Sequence, residues 1–304
     1  MADNRAVLAD RIRKLRKDRN AVILAHNYQQ GEVQDIADFV GDSLELSQKA
    51  ARTDARIIVF CGVHFMAETA SILCPDKVVL LPVAEAGCPM ANMVTAEDVR
   101  RLRKEHPEAI VVCYVNTTAG VKAESDVCCT SANGVQLVRR LEADEIIFVP
   151  DQYLGHYIST QTGKKMILWP GYCPTHVRIQ AADILRMRAV YPRAEVMVHP
   201  ECRSDVVALA DLVLSTGGMI RHAASTRAKE LVVGTETGIL HRLRKENPGK
   251  TFVPLTEQAV CPNMKLIGLE NILWCLEEMT HEVKVPEATR LRARKAVDRM
   301  IDIS

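Results

Sequence analysis

Three stretches of this chain match one another in a register that holds for long distances. They are AVILAHNY (21–28), AIVVCYVN (109–116) and AEVMVHPE (194–201), each a β-rich run that ends in polar or aromatic residues. Each follows a basic helical segment: IRKLRKDRN, VRRLRKEHPE and ILRMRAVYPR. Seventeen residues separate His26 from Ser43, Tyr114 from Ser131 and His199 from Thr216. Another seventeen lead to Phe60, Phe148 and Val233, each near the end of a second strand (RIIVF, EIIF, ELVV). A third strand then runs from a lysine to a proline: KVVLLP (77–82), KMILWP (165–170) and KTFVP (250–254). Equal spacings in three segments predict a triplicated strand–helix–strand–helix–strand unit, and a repeat of this kind outranks local motifs.

Apolar runs that alternate with helical patterns predict an α/β fold with parallel strands, and three similar units fused in one chain can pack about a pseudo-threefold axis. The expected units are 1–84 together with C-terminal helices in 265–304, then 85–172, then 173–264. Right-handed helical crossovers bring the C-terminal strand ends to one edge, where ligands of such sheets bind. If three units pack about an axis, those edges converge.

Ten cysteines give this geometry something to sort. The composition, 48% hydrophobic and 25% charged with formal net charge +1, gives no reason to expect a nucleic acid or an anionic membrane as partner. No apolar run reaches the ~20 residues that span a bilayer. The N-terminal stretch lacks a signal-peptide core and reads as an amphipathic helix, so the chain is expected to be cytoplasmic. In a reducing compartment, cysteines are core thiols or metal ligands more often than disulfides.

No two cysteines of the four Cys-Pro dipeptides stand at CxxC spacing. The repeat nevertheless separates them. Cys88, Cys173 and Cys261 follow the proline that closes the third strand by six, three and seven residues, in the same loop of each unit. Cys74-Pro75 precedes a third strand and so belongs to the opposite edge. Cys113 and Cys275 fall in a strand and a helix and read as core. Cys61, Cys202 and Cys128-Cys129 have no cysteine counterparts in the repeat and read as packing or pocket-wall thiols. Three thiolates meeting on an axis suit zinc, with His176 as a fourth ligand, or an iron–sulfur cluster. A four-iron cluster with three cysteines leaves one iron free to act as a Lewis acid, which points toward chemistry rather than electron transfer.

The same register sets His26 with Tyr28, Tyr114 with Asn116 and His199 with Glu201 at the first strand ends. That is a set of proton-transfer groups and hydrogen bonders on the thiol edge. Ser43, Ser131 and Thr216 are expected to open the first crossover helices. There they serve as N-caps, as anion-binding hydroxyls, or as both. Met66 in CGVHFMAET reads as core, with a place on the cavity wall as the alternative, Gly217-Gly218 is too little for a nucleotide loop, and neither GxGxxG nor a Walker motif occurs.

The segments AHNYQ, GDSLELS, CGVHFMAETA, AGCPMANM, YVNTTA, CTSAN, WPGYCPTH, HPEC, STGGM and CPNMK, spread over about 20–265, resemble the quinolinate synthase family. The resemblance implies three α/β/α domains around an oxygen-sensitive [4Fe-4S] cluster. It also implies condensation of iminosuccinate with dihydroxyacetone phosphate to quinolinate, phosphate and water in de novo NAD synthesis. Position by position, it implies cluster ligands Cys88, Cys173 and Cys261. Substrate contacts would be His26, Ser43, Tyr114, Asn116, Ser131, His199, Glu201 and Thr216. Catalysis would fall to His26, Tyr28 (the proton-shuttling tyrosine), Tyr114, Glu201 and His176, the last near the cluster. A supplier of the imine, an L-aspartate oxidase or aspartate dehydrogenase, is the implied functional partner. Two other classes stand beside this reading. A non-catalytic iron–sulfur sensor would carry a fourth protein ligand, and a zinc hydrolase or lyase built on His176 would be colourless and stable in air.

Overall fold

A computed structural model describes residues 2–302. The elements run as three successive sets of four helices and four strands. The first set is α1 (Ala2–Asp18), β1 (Ala21–His26), α2 (Gly31–Ile36), β2 (Phe39–Gly41), α3 (Ser43–Arg52), β3 (Ile57–Cys61), α4 (His64–Leu73) and β4 (Val78–Leu80). The second is α5 (Ala96–Glu105), β5 (Ile110–Tyr114), α6 (Ala119–Ala123), β6 (Val127–Cys129), α7 (Gly134–Arg140), β7 (Ile146–Val149), α8 (Gln152–Thr162) and β8 (Met166–Leu168). The third is α9 (Ala181–Val190), β9 (Glu195–Val198), α10 (Ser204–Leu209), β10 (Leu212–Val213), α11 (Thr216–Ser225), β11 (Glu230–Gly234), α12 (Ile239–Glu246) and β12 (Thr251–Pro254). Helices α13 (Leu269–Glu278) and α14 (Glu287–Asp302) close the chain.

Each set builds one parallel four-stranded sheet, and the strand order is the same in all three: β2-β1-β3-β4, β6-β5-β7-β8 and β10-β9-β11-β12. The α/β class and the internal repeat are as the sequence predicts. The strand count is not. A one-turn helix and a further strand of two or three residues (β2, β6, β10) intervene between the first strand and the long crossover helix. Runs as short as FVG or LV carry no measurable periodicity, so only pairing with a neighbour makes them strands.

The repeat extends to polar details. Asp38, Asp126 and Asp211, each twelve residues past His26, Tyr114 and His199 respectively, accept from the backbone N–H of Ile23, Val111 and Val196 at 2.8 Å in every case. Each carboxylate also pairs with an arginine of the preceding helix, Arg16, Arg103 and Arg188. A buried strand is thereby tied to the helix that delivers the chain to it, and the basic character of those three helices has a structural use.

One large apolar core runs through the first two sheets and into the third; a smaller one, with Ile184, Val196, Val206 and Val232, lies within the third set. Helix α14 packs on α4, α6 and β6 and so joins the first set to the second. Among the described residues no helix is long and apolar enough to cross a membrane.

Candidate active site

The C-terminal strand edges of all three sheets open on a common cavity of about 70 Å3. Its wall takes His26, Ser43 and Cys88 from the first set, Tyr114, Ser131 and Cys173 from the second, and His199, Thr216 and Cys261 from the third. Tyr28, Asn116, His176 and Glu201 also line it. The structure therefore brings together the candidate thiols, hydroxyls and proton-transfer groups read from the repeat. Met66 is on the wall as well, beside Val63 and Phe65.

Local sequence explains how the thiols are presented. Cys88-Pro89 and Cys261-Pro262 lead directly into short 3-10 turns at Met90–Asn92 and Asn263–Lys265. Proline starts such a turn because its ring holds φ near the helical value and it has no N–H to leave unpaired. The N–H groups of Met90 and Ala91 then face the Cys88 sulfur, and those of Asn263 and Met264 face Cys261. Cys173 receives the His176 N–H from the turn His176–Arg178. These three cysteines are partly exposed, while the other seven are buried. Cys74 ends α4, away from the cavity, and donates its thiol to the Ala50 carbonyl at 3.2 Å. Cys128 and Cys129 lie within β6, and Cys113 hydrogen-bonds Thr117 at 2.8 Å.

As thiols the three cavity cysteines are unfavourable anions. Burial pushes Cys88 up to about 12, with Glu201 and Cys261 adding to it. Burial and Glu201 raise Cys173 well above the ordinary range, and burial with Glu236 raises Cys261. No lysine or arginine lines the cavity among the described residues. A cationic metal centre is the counter-charge that would ionise all three at once, and turn N–H groups already aimed at sulfur suit thiolates. The donor set thus fits an iron–sulfur group. The residues also hold a second grouping. The ligand atoms of Cys173, His176 and Glu201 all lie within 4.8 Å of one another and could hold a single metal ion.

Beside the thiols, with His176 Nδ1 3.1 Å from Cys173 Sγ, lies a hydrogen-bonded chain across the three sets. Tyr28 Oη meets Thr235 Oγ1 at 2.6 Å, and Thr235 Oγ1 meets His176 Nε2 at 2.8 Å. His176 Nδ1 lies 2.8 Å from Glu201 Oε2, and the Tyr114 hydroxyl donates to Glu201 Oε1 at 2.5 Å. Burial alone would raise the Glu201 carboxyl. The His176 imidazole, with hydrogen bonds from His176 and Tyr114, outweighs burial and holds it below the ordinary range. Burial and the charge of Glu201 raise both Tyr28 and Tyr114, so both phenols keep their protons.

His26 and His199 share a local device. The N–H two residues on, of Tyr28 and of Glu201, donates to Nδ1 of each at 3.2 and 3.3 Å. Burial lowers both imidazoles to about 3, so both are neutral and carry their proton on Nε2. Nε2 of His199 accordingly donates to Ser131 Oγ at 3.1 Å. Unfolding would let both rings protonate below their ordinary value of about 6.5. Their contribution to stability is therefore complete above pH ~6.5 and is lost as pH falls from there toward 3. Urea unfolding at pH 7 and pH 5 should show the lower stability at pH 5. His199→Asn should reduce proton uptake on unfolding at pH 5 by about one, and an unchanged uptake would contradict the assignment.

Helix starts are placed as expected at Ser43 and Thr216, the first residues of α3 and α11. The caps are their neighbours. Asp42 accepts from the N–H of Leu44 and Glu45, and Ser215 accepts from that of Gly218. Ser131 does not begin a helix; it lies in a turn three residues before α7, where Asn133 Oδ1 takes the Thr130 N–H instead. Gly217 lets α11 approach α3, since a Cβ there would lie 2.6 Å from Asp42 Oδ2. The Asn116 amide oxygen is buried with no protein partner among the described residues, an acceptor available to a ligand.

Three site residues escape a reading of the sequence: Asn27, Thr235 and Glu236. Glu236 is fully buried and accepts from the N–H of Cys261 at 3.1 Å and of Gly238 at 2.7 Å, while Lys265 pairs with it at 2.9 Å. Lys265 also donates to the Tyr28 carbonyl. A Cβ on Gly238 would lie 2.5 Å from that carbonyl oxygen, so the turn between β11 and α12 meets the Tyr28 loop only because glycine is there. The signal for Glu236 was present, since it stands three residues past Val233 as Asp151 stands three past Phe148. Asn27 and Thr235 have no such counterparts.

The family model described as quinolinate synthetase A protein matches residues 10–302. A quinolinate synthase of Dehalococcoides mccartyi is 58% identical over 299 residues, covering 98% of this chain and 99% of the relative. One of Methanosarcina barkeri is 54% identical over 298 residues, covering 98% of each. One of Thermodesulfovibrio yellowstonii is 54% identical over 301 residues, covering 99% of each.

Proposed function

Because the chain belongs to the quinolinate synthetase A family, we propose that it is a quinolinate synthase acting in NAD biosynthesis. In this reading it condenses iminosuccinate with dihydroxyacetone phosphate, releasing phosphate and water. The observation that carries the reading is the convergence of one partly exposed thiol from each of three repeated sets on a single cavity. Cys88, Cys173 and Cys261 would hold a [4Fe-4S] cluster whose remaining iron, free of protein ligands, supplies Lewis acidity for loss of a hydroxyl. The three units meet about a pseudo-threefold axis, with boundaries near residues 84, 172 and 264. The enzyme works in the cytoplasm beside an L-aspartate oxidase or aspartate dehydrogenase that supplies the unstable imine.

The chain's own residues do the rest. Hydroxyls of Ser43, Ser131 and Thr216, with the N-termini of α3 and α11, hold two carboxylates and a phosphate. Holding both substrates in a confined, largely buried space replaces a bimolecular encounter with a positioned one. His26 is neutral, so it polarises a carbonyl oxygen from Nε2–H and does not take up a proton. The ionised Glu201 takes protons from substrate carbon and returns them to departing oxygen. Tyr28 delivers its phenolic proton and regains one along Thr235 and His176, and Tyr114 keeps the Glu201 carboxylate oriented.

A second reading has a specific observation behind it: a single divalent ion on Cys173, His176 and Glu201. Anaerobic purification with iron, sulfide and zinc analysis separates the two. Incubation with dihydroxyacetone phosphate and freshly generated iminosuccinate then tests the activity. Four irons and four sulfides per chain with quinolinate formed is the expected result. A full cluster without quinolinate would refute the proposed reaction, and one zinc without sulfide would favour the second reading.

A further inference from the structure

The orientation of one buried amide settles which way a cavity hydroxyl points. Asn27 is fully buried behind the wall, between β1 of the first set and the start of α11 in the third. Its Oδ1 faces Nη1 of Arg242 at 3.0 Å, and its Nδ2 faces Thr216 Oγ1 at 3.0 Å. A guanidinium can only donate, so the amide atom facing it is the oxygen and the atom facing Thr216 is the NH2 group. Arg242 is itself fixed by the Val40 carbonyl at 2.7 Å and by Glu246 at 2.7 Å, so the amide has no reason to turn over. Thr216 Oγ1 therefore accepts from Asn27. Its own hydrogen finds no protein acceptor among the described residues, and Thr216 lines the cavity.

We propose that Asn27 is a positioning residue which, locked by Arg242, makes Thr216 a hydrogen-bond donor toward the cavity. The site there is selective for a ligand group that only accepts, a carboxylate or a phosphate, over one that must donate. This rests on the proposed use of Thr216 as a substrate contact. Ser131 is arranged alike, its oxygen accepting from His199 Nε2–H. Two of the three cavity hydroxyls are thus turned outward by neighbours that contribute N–H groups. An oxyanion is matched by such a pair without any lysine or arginine on the wall, where a cation would also attract the thiolates.

The test is a double-mutant cycle on the holoenzyme, read by calorimetric binding of quinolinate and, separately, of inorganic phosphate. Thr216→Val should weaken one of the two anions about 10- to 100-fold, the effect of one hydrogen bond to a charged group. Asn27→Asp keeps the Arg242 contact but reverses polarity, because the carboxylate takes the Thr216 hydrogen. It should weaken the same anion by a similar factor, raising KM for the matching substrate more than it lowers kcat. Most of that loss should vanish when Thr216 is already valine. If Asn27→Asp weakens binding equally in both backgrounds, its charge and not Thr216 is responsible and the inference is overturned. If Thr216→Val alone changes neither anion, the substrate contact at Thr216 is what fails. Should Asn27→Asp not fold, Arg242→Gln frees the amide to turn and should cost the same anion about 3- to 10-fold, again only with Thr216 intact.

Discussion

Replacing Cys261 with alanine is expected to strip the purified protein of iron, acid-labile sulfide and colour, while Cys74→Ala retains all three. Both cysteines precede proline, and neither belongs to a local metal motif. They differ in place. Cys261 lies in a turn at the cavity, with N–H groups of Asn263 and Met264 on its sulfur. Cys74 is buried at the end of α4 with its thiol on the Ala50 carbonyl. Loss of a Lewis acid that contributes several kcal/mol should lower quinolinate formation by about a thousandfold or more in the Cys261 variant. The Cys74 variant should fall only in thermal stability. Equal loss of iron in both, or full iron in Cys261→Ala, would undo the assignment of ligands by repeat register.

Glu201→Gln is expected to lower kcat about 10²- to 10⁴-fold, the usual size of a general acid–base contribution, with iron and sulfide content unchanged. The substitution keeps volume and leaves the Tyr114 hydroxyl an acceptor. It removes the negative charge toward which His176 Nδ1 points at 2.8 Å. Proton transfer along Tyr28, Thr235 and His176 then has no anionic end. The same variant separates Glu201 as a proton carrier from Glu201 as a metal ligand with Cys173 and His176. Retained iron with lost turnover supports the first role. Turnover near that of the unaltered protein would remove Glu201 from the catalytic set.

Register explains why so much of the site is legible in the sequence. His26, Tyr114 and His199 stand at one depth because parallel strands with equal crossover lengths end at one edge. The cysteines were sorted by the same means, and Cys74 was excluded by it despite its proline. Ser131 was misplaced at a helix start because the register says where the chain is, not which of Thr130, Ser131 or Asn133 takes the capping bond. The strands β2, β6 and β10 went unseen because two or three residues cannot display an alternation.

Asn27, Thr235 and Glu236 mark where sequence reasoning stops. Each acts on a residue far away in the chain: Asn27 on Thr216, Thr235 on Tyr28, Glu236 on Lys265 and, twenty-five residues on, Cys261. A buried polar group must find a partner wherever packing brings one, and that choice leaves no trace in local spacing. The amino-acid sequence by itself determined the three-sheet architecture, the edge on which chemistry is placed and the three thiols that meet there, because these follow from periodicity and equal segment lengths. Only the tertiary structure decided the protonation and direction of each hydrogen bond. Which oxygen accepts, which imidazole nitrogen carries the proton and which carboxylate stays ionised depend on distances of about 3 Å between units. Those distances exist only once the sheets have packed.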